Sequence, residues 1–471
     1  MSQNTPANHL ISVFEAQKKH QYIVANQSVR QRKEKLKKLK RALEITFRQQ
    51  IREALHADMN KPIAETDLIE IYPVVSEIKL ALKNLKSWTK NHLVDTPLAF
   101  LGSRSYIAYE PKGVCLIISP WNYPVNLTLG PLVSAIAAGN TVLIKPSEHT
   151  PHTSALLQKI IASLFDEQEV AVMEGGVETS RELLKLPFDH IFFTGSPDVG
   201  KHVMAAAAQN LASVTLELGG KSPTIVDQTA SVKTAARRIA WGKFVNCGQT
   251  CIAPDYVFVH HAIADSFLEA LTQSIATLYD REDAFTTDYA RIATQKHTER
   301  LTSLLDDAKS RGAEIVTGAP SEAISRLIKP IVLKNVNPES ELMHSEIFGP
   351  ILPILTYESL DEAITFINKK DKPLALYIYS HSKKNTNYIL KNTRAGGTCI
   401  NHNDIHFFNG NLPFGGVNHS GIGKSHGHFG FLAFSNERAV YRQLIPGALE
   451  LLMPPYTKWK LKLIELTIKW F

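Results

Sequence analysis

Cysteine is scarce in this chain, and long apolar runs are absent from it. Its 471 residues include four cysteines, Cys115, Cys247, Cys251 and Cys399, which are too few and too scattered for a disulfide-stabilised scaffold. No stretch of about 18 consecutive apolar residues occurs, so we expect no membrane-spanning helix. The N-terminal sequence lacks the charged start and apolar core of a signal peptide. These absences predict a cytoplasmic protein.

Charge of one sign is only modestly in excess, and patterns of metal ligands are lacking. The formal net charge is +7, but aromatic residues do not interleave with basic ones as in an RNA-binding sheet, so we expect no nucleic-acid partner. Cys247 and Cys251 lie four residues apart. His260 and His261 do not supply a second pair at the spacing of a metal site. The sequence therefore predicts no metal.

The chain does contain a regular alternation of short apolar runs and helical patterns. Apolar runs bounded by turn residues predict buried strands at 113–119, 141–145, 170–173, 190–194 and 214–218. Helical spacing predicts helices at 8–60, 72–89, 127–138, 151–165, 199–210, 231–246, 262–280 and 298–310. This alternation is typical of a parallel, doubly wound sheet that binds ligands beyond the carboxyl ends of its strands.

Three side chains at these strands and loops are candidates for chemistry. Cys251 follows a Gly-Gln-Thr turn, from which a thiol can face a cleft and act as a nucleophile, although an inert buried thiol is the alternative. Asn122 directly follows a strand, where a ligand-facing amide is expected, but an asparagine in a turn also bonds its own backbone. Glu217 lies in an apolar strand, so its carboxylate either pairs with a cation or has a catalytic function.

A strand, a glycine turn and a helix start follow one another at residues 193–200 (FTGSPDVG). The free N–H groups and the dipole of a helix N-terminus favour a pyrophosphate group there. The segment is not the G-x-G-x-x-G fingerprint, so it is a weak indication when taken alone.

Seven motifs occur in order between residues 120 and 416: PWNYP, IKPSE, FTGS, LELGGKSP, FVNCGQTCIAPDY, EIFGP and PFGG. Together they resemble the aldehyde dehydrogenase superfamily over nearly the whole chain. APDY after Cys251, with HGHFGF at residues 426–431, resembles the class 3 branch of fatty and aromatic aldehyde dehydrogenases. The resemblance implies oxidation of medium- or long-chain aliphatic or aromatic aldehydes to carboxylic acids. NAD⁺ is the implied cofactor, with NADP⁺ also accepted, and the implied intermediates are a thiohemiacetal and a thioester.

The resemblance also implies functions for individual residues. Cys251 is the implied nucleophile, Asn122 an oxyanion donor and Glu217 the base that activates the hydrolytic water. Cofactor contacts are implied for Lys145, Glu148, Gly195, Ser196, Glu346 and Phe348. We expect Tyr123, Trp241 and Thr250 to line the substrate pocket, whereas Cys247 matches no catalytic position.

The same resemblance implies a division of the chain and a homodimer. Residues 1–90 and 107–214 are the implied Rossmann-like NAD-binding domain, and residues 215–396 the second α/β, catalytic domain. Residues 91–106 and 397–435 are the implied oligomerisation segment, followed by a tail of residues 436–471. Two other functions remain open. An enzyme that passes the acyl group to coenzyme A is disfavoured by Glu217, and a non-catalytic binding protein is disfavoured by Cys251, Asn122 and Glu217 together.

The last sixteen residues, 456–471 (YTKWKLKLIELTIKWF), have helical spacing. Trp459, Leu463, Leu466 and Trp470 form one stripe, and lysines occupy much of the remaining arc. Basic residues beside tryptophan and leucine are typical of a helix that lies in a membrane interface, although the lysines interrupt it too often for a span. The alternative is a terminal helix packed on the protein's own surface or on a dimer partner.

Overall fold

The computed structural model describes residues 5–280, 284–318 and 326–470. Within these ranges the strands form sheets of six, seven and three strands. The two larger sheets are mostly parallel, and helices connect most of the successive strands within each of them. This arrangement confirms the predicted α/β class with Rossmann-like sheets.

The six-stranded sheet contains all five strands predicted from apolar runs. Its members are β3 (Val114–Ile118), β4 (Thr141–Lys145), β5 (Val170–Val172), β6 (His190–Gly195), β7 (Ser213–Leu218) and β15 (Gly421–Ile422). They lie in the order β15-β7-β6-β3-β4-β5, and only β15 is antiparallel to its neighbour. The first five begin and end within one residue of their predicted bounds.

Both faces of this sheet are buried, as a doubly wound arrangement requires. Along β3, Cys115 and Ile117 pack into one core cluster, while Leu116 and Ile118 pack into another. The helices of this half are α6 (Asn126–Ala138), α7 (Pro151–Leu164), α8 (Val177–Leu184) and α9 (Pro197–Gln209). Their positions confirm the helices predicted at 127–138, 151–165 and 199–210.

The N-terminal residues are helical as predicted, but in several pieces. These are α1 (Ala7–Ala25), α2 (Val29–Arg41), α3 (Arg48–Met59), α4 (Ile63–Glu65) and α5 (Tyr72–Trp88), with π-helical turns at Ala42–Thr46 and Thr66–Ile71. Ser28 begins α2 with a capping box, since its side chain accepts from the Gln31 N–H while the Gln31 side chain accepts from the Ser28 N–H. Asn60 ends α3 in the left-handed conformation, with φ of 50°.

The second half of the chain builds the seven-stranded sheet. Its strands are β8 (Pro223–Val226), β9 (Tyr256–His260), β10 (Glu314–Thr317), β11 (Ile331–Lys334), β12 (Ile351–Tyr357), β13 (Ala375–Tyr379) and β14 (Gly397–Ile400), in the order β10-β11-β12-β9-β8-β13-β14. Its helices are α10 (Val232–Phe244), α11 (Ala264–Tyr279), α12 (Ala284–Thr287), α13 (Gln295–Ser310), α14 (Glu341–His344), α15 (Leu360–Asn368) and α16 (Lys383–Asn392). The helices predicted at 231–246, 262–280 and 298–310 are therefore confirmed.

A small antiparallel sheet joins distant parts of the chain. It contains β1 (His92–Val94), β2 (Ser103–Pro111) and β16 (Ser435–Gln443), with β2 in the centre. Helix α17 (Gly427–Ala433) precedes β16 and packs against α5 and α6. The first residues of the expected tail, 436–443, thus belong to a strand of this sheet. The division of the chain into domains stays a prediction.

The predicted C-terminal helix is present as α18 (Lys458–Trp470), while Phe471 lies outside the described residues. None of its residues is buried. It contacts the 3₁₀ turn at Ala448–Leu452, which precedes it in the chain. Packing into the core of its own chain is therefore not observed. Over the described ranges, none of the helices combines the length and apolar character needed to cross a membrane.

Candidate active site

Three segments that follow strands or helices bring the predicted chemical residues together. Asn122 lies just beyond the carboxyl end of β3, and Glu217 lies near the carboxyl end of β7. Cys251 follows α10 and a 3₁₀ turn at Val245–Gly248. Because β3 and β7 belong to one mostly parallel sheet, their carboxyl ends open on the same edge.

Cys251 borders two cavities. The first, of about 620 Å³, is lined by Cys251 together with Glu77, Glu217, Ser425, His426 and apolar side chains, and we call it the glutamate cavity. The second, of about 490 Å³, is lined by Cys251 with Tyr123, Trp241, Thr250, Asp404, Phe407 and Phe408, and we call it the tyrosine cavity. All three residues expected in a substrate pocket line the tyrosine cavity.

The two cysteines of the FVNCGQTC motif occupy different environments. Cys247 is fully buried, its Sγ lies 3.6 Å from the Ile328 carbonyl oxygen, and burial raises its pKa to about 12. Cys251 is partly exposed. Burial of its sulfur raises the thiol pKa, and the carboxyl groups of Glu346 and Glu217 raise it further. Only Cys251 of this pair borders the two cavities.

The turn before Cys251 depends on an unusual backbone. Asn246 and Cys247 have φ of 53° and 55°, and Gly248 follows with φ of 73°. A Cβ on Gly248 would lie 2.4 Å from the carbonyl carbon of Gly349. Glycine is therefore required where this turn approaches the EIFGP loop.

Glu217 is a buried carboxyl group with one oxygen engaged and one available. Its Oε1 accepts a hydrogen bond of 2.8 Å from Ser425 Oγ, and its Oε2 has no partner among the described residues. Burial raises its pKa to about 7, while Ser425, His426 and Lys424 act in the opposite direction. A carboxyl group with such a pKa is partly ionised at neutral pH, which suits a general base.

The loop that carries Asn122 is held from several sides. Asn122 Nδ2 donates to the Gln249 carbonyl at 3.0 Å, which leaves its second amide hydrogen for a ligand. The backbone carbonyl oxygen of Asn122 accepts hydrogen bonds from Asn246 Nδ2 at 3.0 Å and from Lys61 Nζ at 2.9 Å. These bonds orient the amide toward the Cys251 loop.

Lys61 belongs to a fully buried ion pair that the sequence analysis did not find. Its Nζ lies 2.6 Å from Glu70 Oε1, and neither side chain is exposed. Glu70 Oε2 accepts from the Val125 and Asn126 backbone N–H groups at 3.1 and 2.9 Å. The pair thus braces the Asn122 loop at both ends. Nothing in a sequence pattern pairs these two residues, since one follows α3 and the other lies in a π-helical turn.

The residues implied for the adenosine end of a cofactor lie at the same sheet edge. Lys145 ends β4, and its Nζ donates to Glu148 Oε2 at 2.7 Å. Burial acts to raise the pKa of Glu148, but the Lys145 ammonium outweighs it and holds that pKa below its usual range. Gly195 ends β6, and Ser196 caps α9 by accepting from the Val199 N–H at 3.4 Å. An adjacent cation and carboxylate, next to a helix N-terminus, fit a ribose and a pyrophosphate.

The EIFGP loop places Glu346 and Phe348 near Cys251. A Cβ on Gly219 would lie 2.1 Å from Glu346 Oε2, so the carboxyl group fills the space that glycine leaves. Burial, and then Asp255, raise the pKa of Glu346 to about 8. Phe348 packs edge-on against Trp121, with ring centroids 5.3 Å apart. A half-buried carboxyl group beside an aromatic cluster fits the nicotinamide end of a dinucleotide.

The structure also reveals residues to which the sequence analysis assigned no function. Ser425 holds Glu217, and His426 with Glu77 lines the glutamate cavity. A sequence signal was available only for His426, which lies in the HGHFGF motif; that motif resembled a branch but implied no function, and Ser425 and Glu77 lie outside it. Over the described residues, no group of three histidine, cysteine, aspartate or glutamate side chains is arranged to hold a metal ion.

Comparison with known proteins identifies the class that this fold and site define. The model of the aldehyde dehydrogenase family matches residues 2–440. The chain is 46% identical over 438 residues to 4,4'-diaponeurosporen-aldehyde dehydrogenase of Staphylococcus aureus, covering 93% of this chain and 94% of that protein. It is 43% identical over 440 residues to aldehyde dehydrogenase family 3 member B3 of Mus musculus, covering 93% and 90%.

Solved structures agree with these sequence matches. The substrate-bound state of Staphylococcus aureus AldH superposes with a TM-score of 0.92 at 44% identity, covering 97% of this chain and 99% of that one. PnpE of Pseudomonas in complex with nicotinamide adenine dinucleotide shares the fold, with a TM-score of 0.85 at 24% identity over 94% and 91%. The chain therefore belongs to the aldehyde dehydrogenase family. It is an aldehyde dehydrogenase, an oxidoreductase of a family that uses NAD or NADP.

Proposed function

We propose that this enzyme oxidises aldehydes to carboxylic acids through a thioester on Cys251, which Glu217 hydrolyses. One observation carries the proposal. Cys251 borders both cavities, and Glu217, whose Oε2 has no partner among the described residues, lines the glutamate cavity beside it. A nucleophile and a base are thus within one enclosed space, as hydrolysis of a covalent intermediate requires.

Acylation begins when Cys251 Sγ gives its proton to solvent water and attacks the aldehyde carbon. The negative charge that develops on the aldehyde oxygen is stabilised by the Asn122 side-chain amide and the Cys251 backbone N–H. Removal of one such donor typically costs about 3–4 kcal/mol of transition-state stabilisation. Asn122 is suited to this function because two bonds to its carbonyl prevent its loop from turning away.

A bound nicotinamide cofactor supplies the acceptor for the hydride that leaves the aldehyde carbon. Lys145 and Glu148 would hold its adenosine ribose, and the N-terminus of α9 at Ser196 would bind its pyrophosphate. Glu346 and Phe348 would hold the nicotinamide end. The Glu148 carboxylate repels a 2′-phosphate, so NAD⁺ is the preferred cofactor.

Deacylation completes the cycle. Glu217 Oε2 takes a proton from water, the water oxygen attacks the thioester carbon, and the bond from that carbon to Cys251 Sγ breaks. The product is a free acid, so addition of coenzyme A is expected to change neither the rate nor the product. An acyl-coenzyme A product would favour the acyl-transfer alternative.

The tyrosine cavity favours apolar aldehydes. Aromatic and aliphatic side chains form most of its wall, and the Tyr123 hydroxyl is engaged with Thr250 Oγ1 at 2.6 Å. We propose medium- or long-chain aliphatic or aromatic substrates, in keeping with the relatives' membership of family 3. Steady-state kinetics over a panel of chain lengths and aromatic aldehydes tests this, and a preference for short polar aldehydes would contradict it.

The two cysteines provide a matched test of the nucleophile. Cys251→Ala should abolish turnover while cofactor binding, followed by fluorescence titration, is retained. Cys247→Ala removes a thiol four residues away that borders neither cavity, so most activity should remain. An inactive Cys247 variant beside an active Cys251 variant would reverse the assignment.

We further propose a cytoplasmic homodimer whose C-terminal helix contacts an anionic membrane surface. The small sheet and its flanking turns expose Leu93, Leu98 and Leu101, each about 70% accessible, which suits a protein interface. On α18 both tryptophans are exposed beside lysines, the composition of an interfacial helix. Light scattering measures the dimer. Flotation with anionic vesicles, with a chain truncated after Pro455 as control, tests the helix, and equal flotation of both chains would exclude it.

A further inference from the structure

Two polar groups of the glutamate cavity have no function in the chemistry proposed so far. They are His426, which precedes α17, and Glu77, which lies on α5. The distance from His426 Nδ1 to Glu77 Oε1 is 3.2 Å, and Glu77 Oε2 accepts from the Gly427 N–H at 2.8 Å. Their side chains are 14% and 12% exposed, so the pair keeps some access to solvent, whereas Glu217 is 6% exposed.

The His426 ring is held in one orientation. Phe407 and Phe414 pack edge-on against it, with centroid distances of 4.5 and 5.1 Å. The backbone of His426 has φ of 71°, a conformation unfavourable for a residue with a side chain. Since Nδ1 faces Glu77, Nε2 is the nitrogen that remains to accept a proton.

Charged and titratable groups from several segments surround this pair. Ser425, adjacent in the chain, bonds Glu217, and Lys424 Nζ donates to the Gly415 and Gly416 carbonyls. Cys251 borders the same cavity, and His406 is a partly buried neighbour whose pKa is lowered to about 4, mainly by burial and then by the charge of His426. Among them, His426 with Glu77 is the histidine–carboxylate pair that adjoins the base.

We propose that His426, oriented by Glu77, accepts the proton that Glu217 removes from the hydrolytic water and passes it to solvent. This inference rests on the proposed thioester mechanism. Hydrolysis of the thioester by water yields a carboxylate, the Cys251 thiol and one proton to be released. That proton moves from Glu217 Oε2 to His426 Nε2 through water in the glutamate cavity, and then to bulk solvent, so Glu217 regains its basic form. Glu77 stabilises the imidazolium without itself being protonated.

The test measures decay of the thioester directly. A radiolabelled aldehyde is mixed with enzyme and NAD⁺, and the protein-bound adduct is trapped by acid quenching at successive times. In His426→Gln, whose amide keeps hydrogen-bonding capacity, the adduct should form at the wild-type rate and decay about tenfold more slowly. This effect is smaller than the roughly 10²- to 10⁴-fold typical of direct general acid–base groups, because water can still carry the proton from Glu217 to solvent. His428→Gln is the matched control, because His428 lies outside the cavity against Trp88 and Tyr109. Its adduct should decay at the wild-type rate.

Buffer dependence separates proton transfer from a structural effect. Raising the concentration of a small buffer such as imidazole, at constant ionic strength, should restore decay in His426→Gln and leave wild type unchanged. Glu77→Gln, which keeps hydrogen-bonding capacity but removes the charge, should give an intermediate rate and provides a second variant if the first is poorly folded. Wild-type decay in both variants, or slow decay that buffer does not restore, overturns the proposal. Absence of an adduct in every variant would instead overturn the thioester mechanism.

Discussion

The buried ion pair between Lys61 and Glu70 predicts that Glu70→Gln will reduce both stability and turnover. Neither side chain is exposed, and each also bonds the segment that carries Asn122. The substitution conserves shape and removes only the charge. It therefore leaves the buried Lys61 ammonium without its direct ion-pair partner, and only the Glu65 carboxyl group, which is not in direct contact, stays within electrostatic range.

The size of the effect follows from these contacts. Leaving one member of a buried pair uncompensated typically costs about 3–5 kcal/mol. A glutamine offers one acceptor oxygen where Glu70 uses both, so either Lys61 or the Val125 and Asn126 N–H groups lose their partner, at about 1–3 kcal/mol for a buried group. Part of this cost is already counted in the first figure, so we expect a loss of about 4 kcal/mol in the free energy of unfolding. If the Asn122 donor is lost, kcat falls about 10²- to 10³-fold.

Urea unfolding and steady-state kinetics together measure both effects. Glu182→Gln is the control, because Glu182 pairs with Lys185 at the same distance, 2.6 Å, but on the surface. Its loss should change the unfolding free energy by less than about 1 kcal/mol. Adding Lys61→Met to Glu70→Gln removes the unpaired charge, so stability should partly recover while kcat stays low. A Glu70→Gln variant as stable as the control, or destabilised with unchanged kcat, would refute the bracing function.

Three further predictions concern the base and the cofactor. Because the Glu217 pKa is raised to about 7 and the ionised form is the base, thioester hydrolysis should rise with pH through about 7 and then level off. Glu217→Gln should release one equivalent of NADH in a burst, turn over slowly and lose this pH dependence; rapid mixing with no burst would mean that Glu217 acts earlier. The value of kcat/KM should be higher with NAD⁺ than with NADP⁺, and Glu148→Ala should reduce the difference between the two cofactors. A wild-type preference for NADP⁺ would contradict the assignment of Glu148 to the adenosine ribose. Gly219→Ala should weaken cofactor binding in a fluorescence titration, since the new Cβ would displace Glu346, and unchanged affinity would show that Glu346 yields freely.

The six-stranded sheet was predictable because its strands are buried on both faces. Such strands appear as uninterrupted apolar runs, and β3 to β7 begin and end within one residue of those runs. The small sheet was not predicted. Strand β16 (Ser435–Gln443) is largely exposed, so no apolar run marks it, and its partner β2 lies more than 300 residues earlier.

The candidate site divides in the same way. The three chemical residues are each marked by their immediate sequence. Cys251 follows a turn, Asn122 follows the end of a strand, and Glu217 is a charge among apolar residues. The groups that tune them come from remote segments and leave no local signal. Ser425 bonds Glu217 across 208 positions, and His426 meets Glu77 across 349. Only the folded chain brings these residues together.

The antiparallel strand β15 brings a late part of the chain onto β7, a strand that is synthesised much earlier. Gly421 pairs with Glu217, and a Cβ at Gly421 would lie 2.3 Å from the Leu216 carbonyl oxygen, so this glycine allows the late segment to lie directly on β7. A nascent chain acquires its nucleophile about 170 residues before the serine that holds its base, and chains fold from the N-terminus as they emerge. The thiol therefore exists in the growing polypeptide well before a hydrolytic apparatus does. A ribosome that stalls between Cys251 and Ser425 would leave a chain that has the cysteine but lacks the serine that holds Glu217.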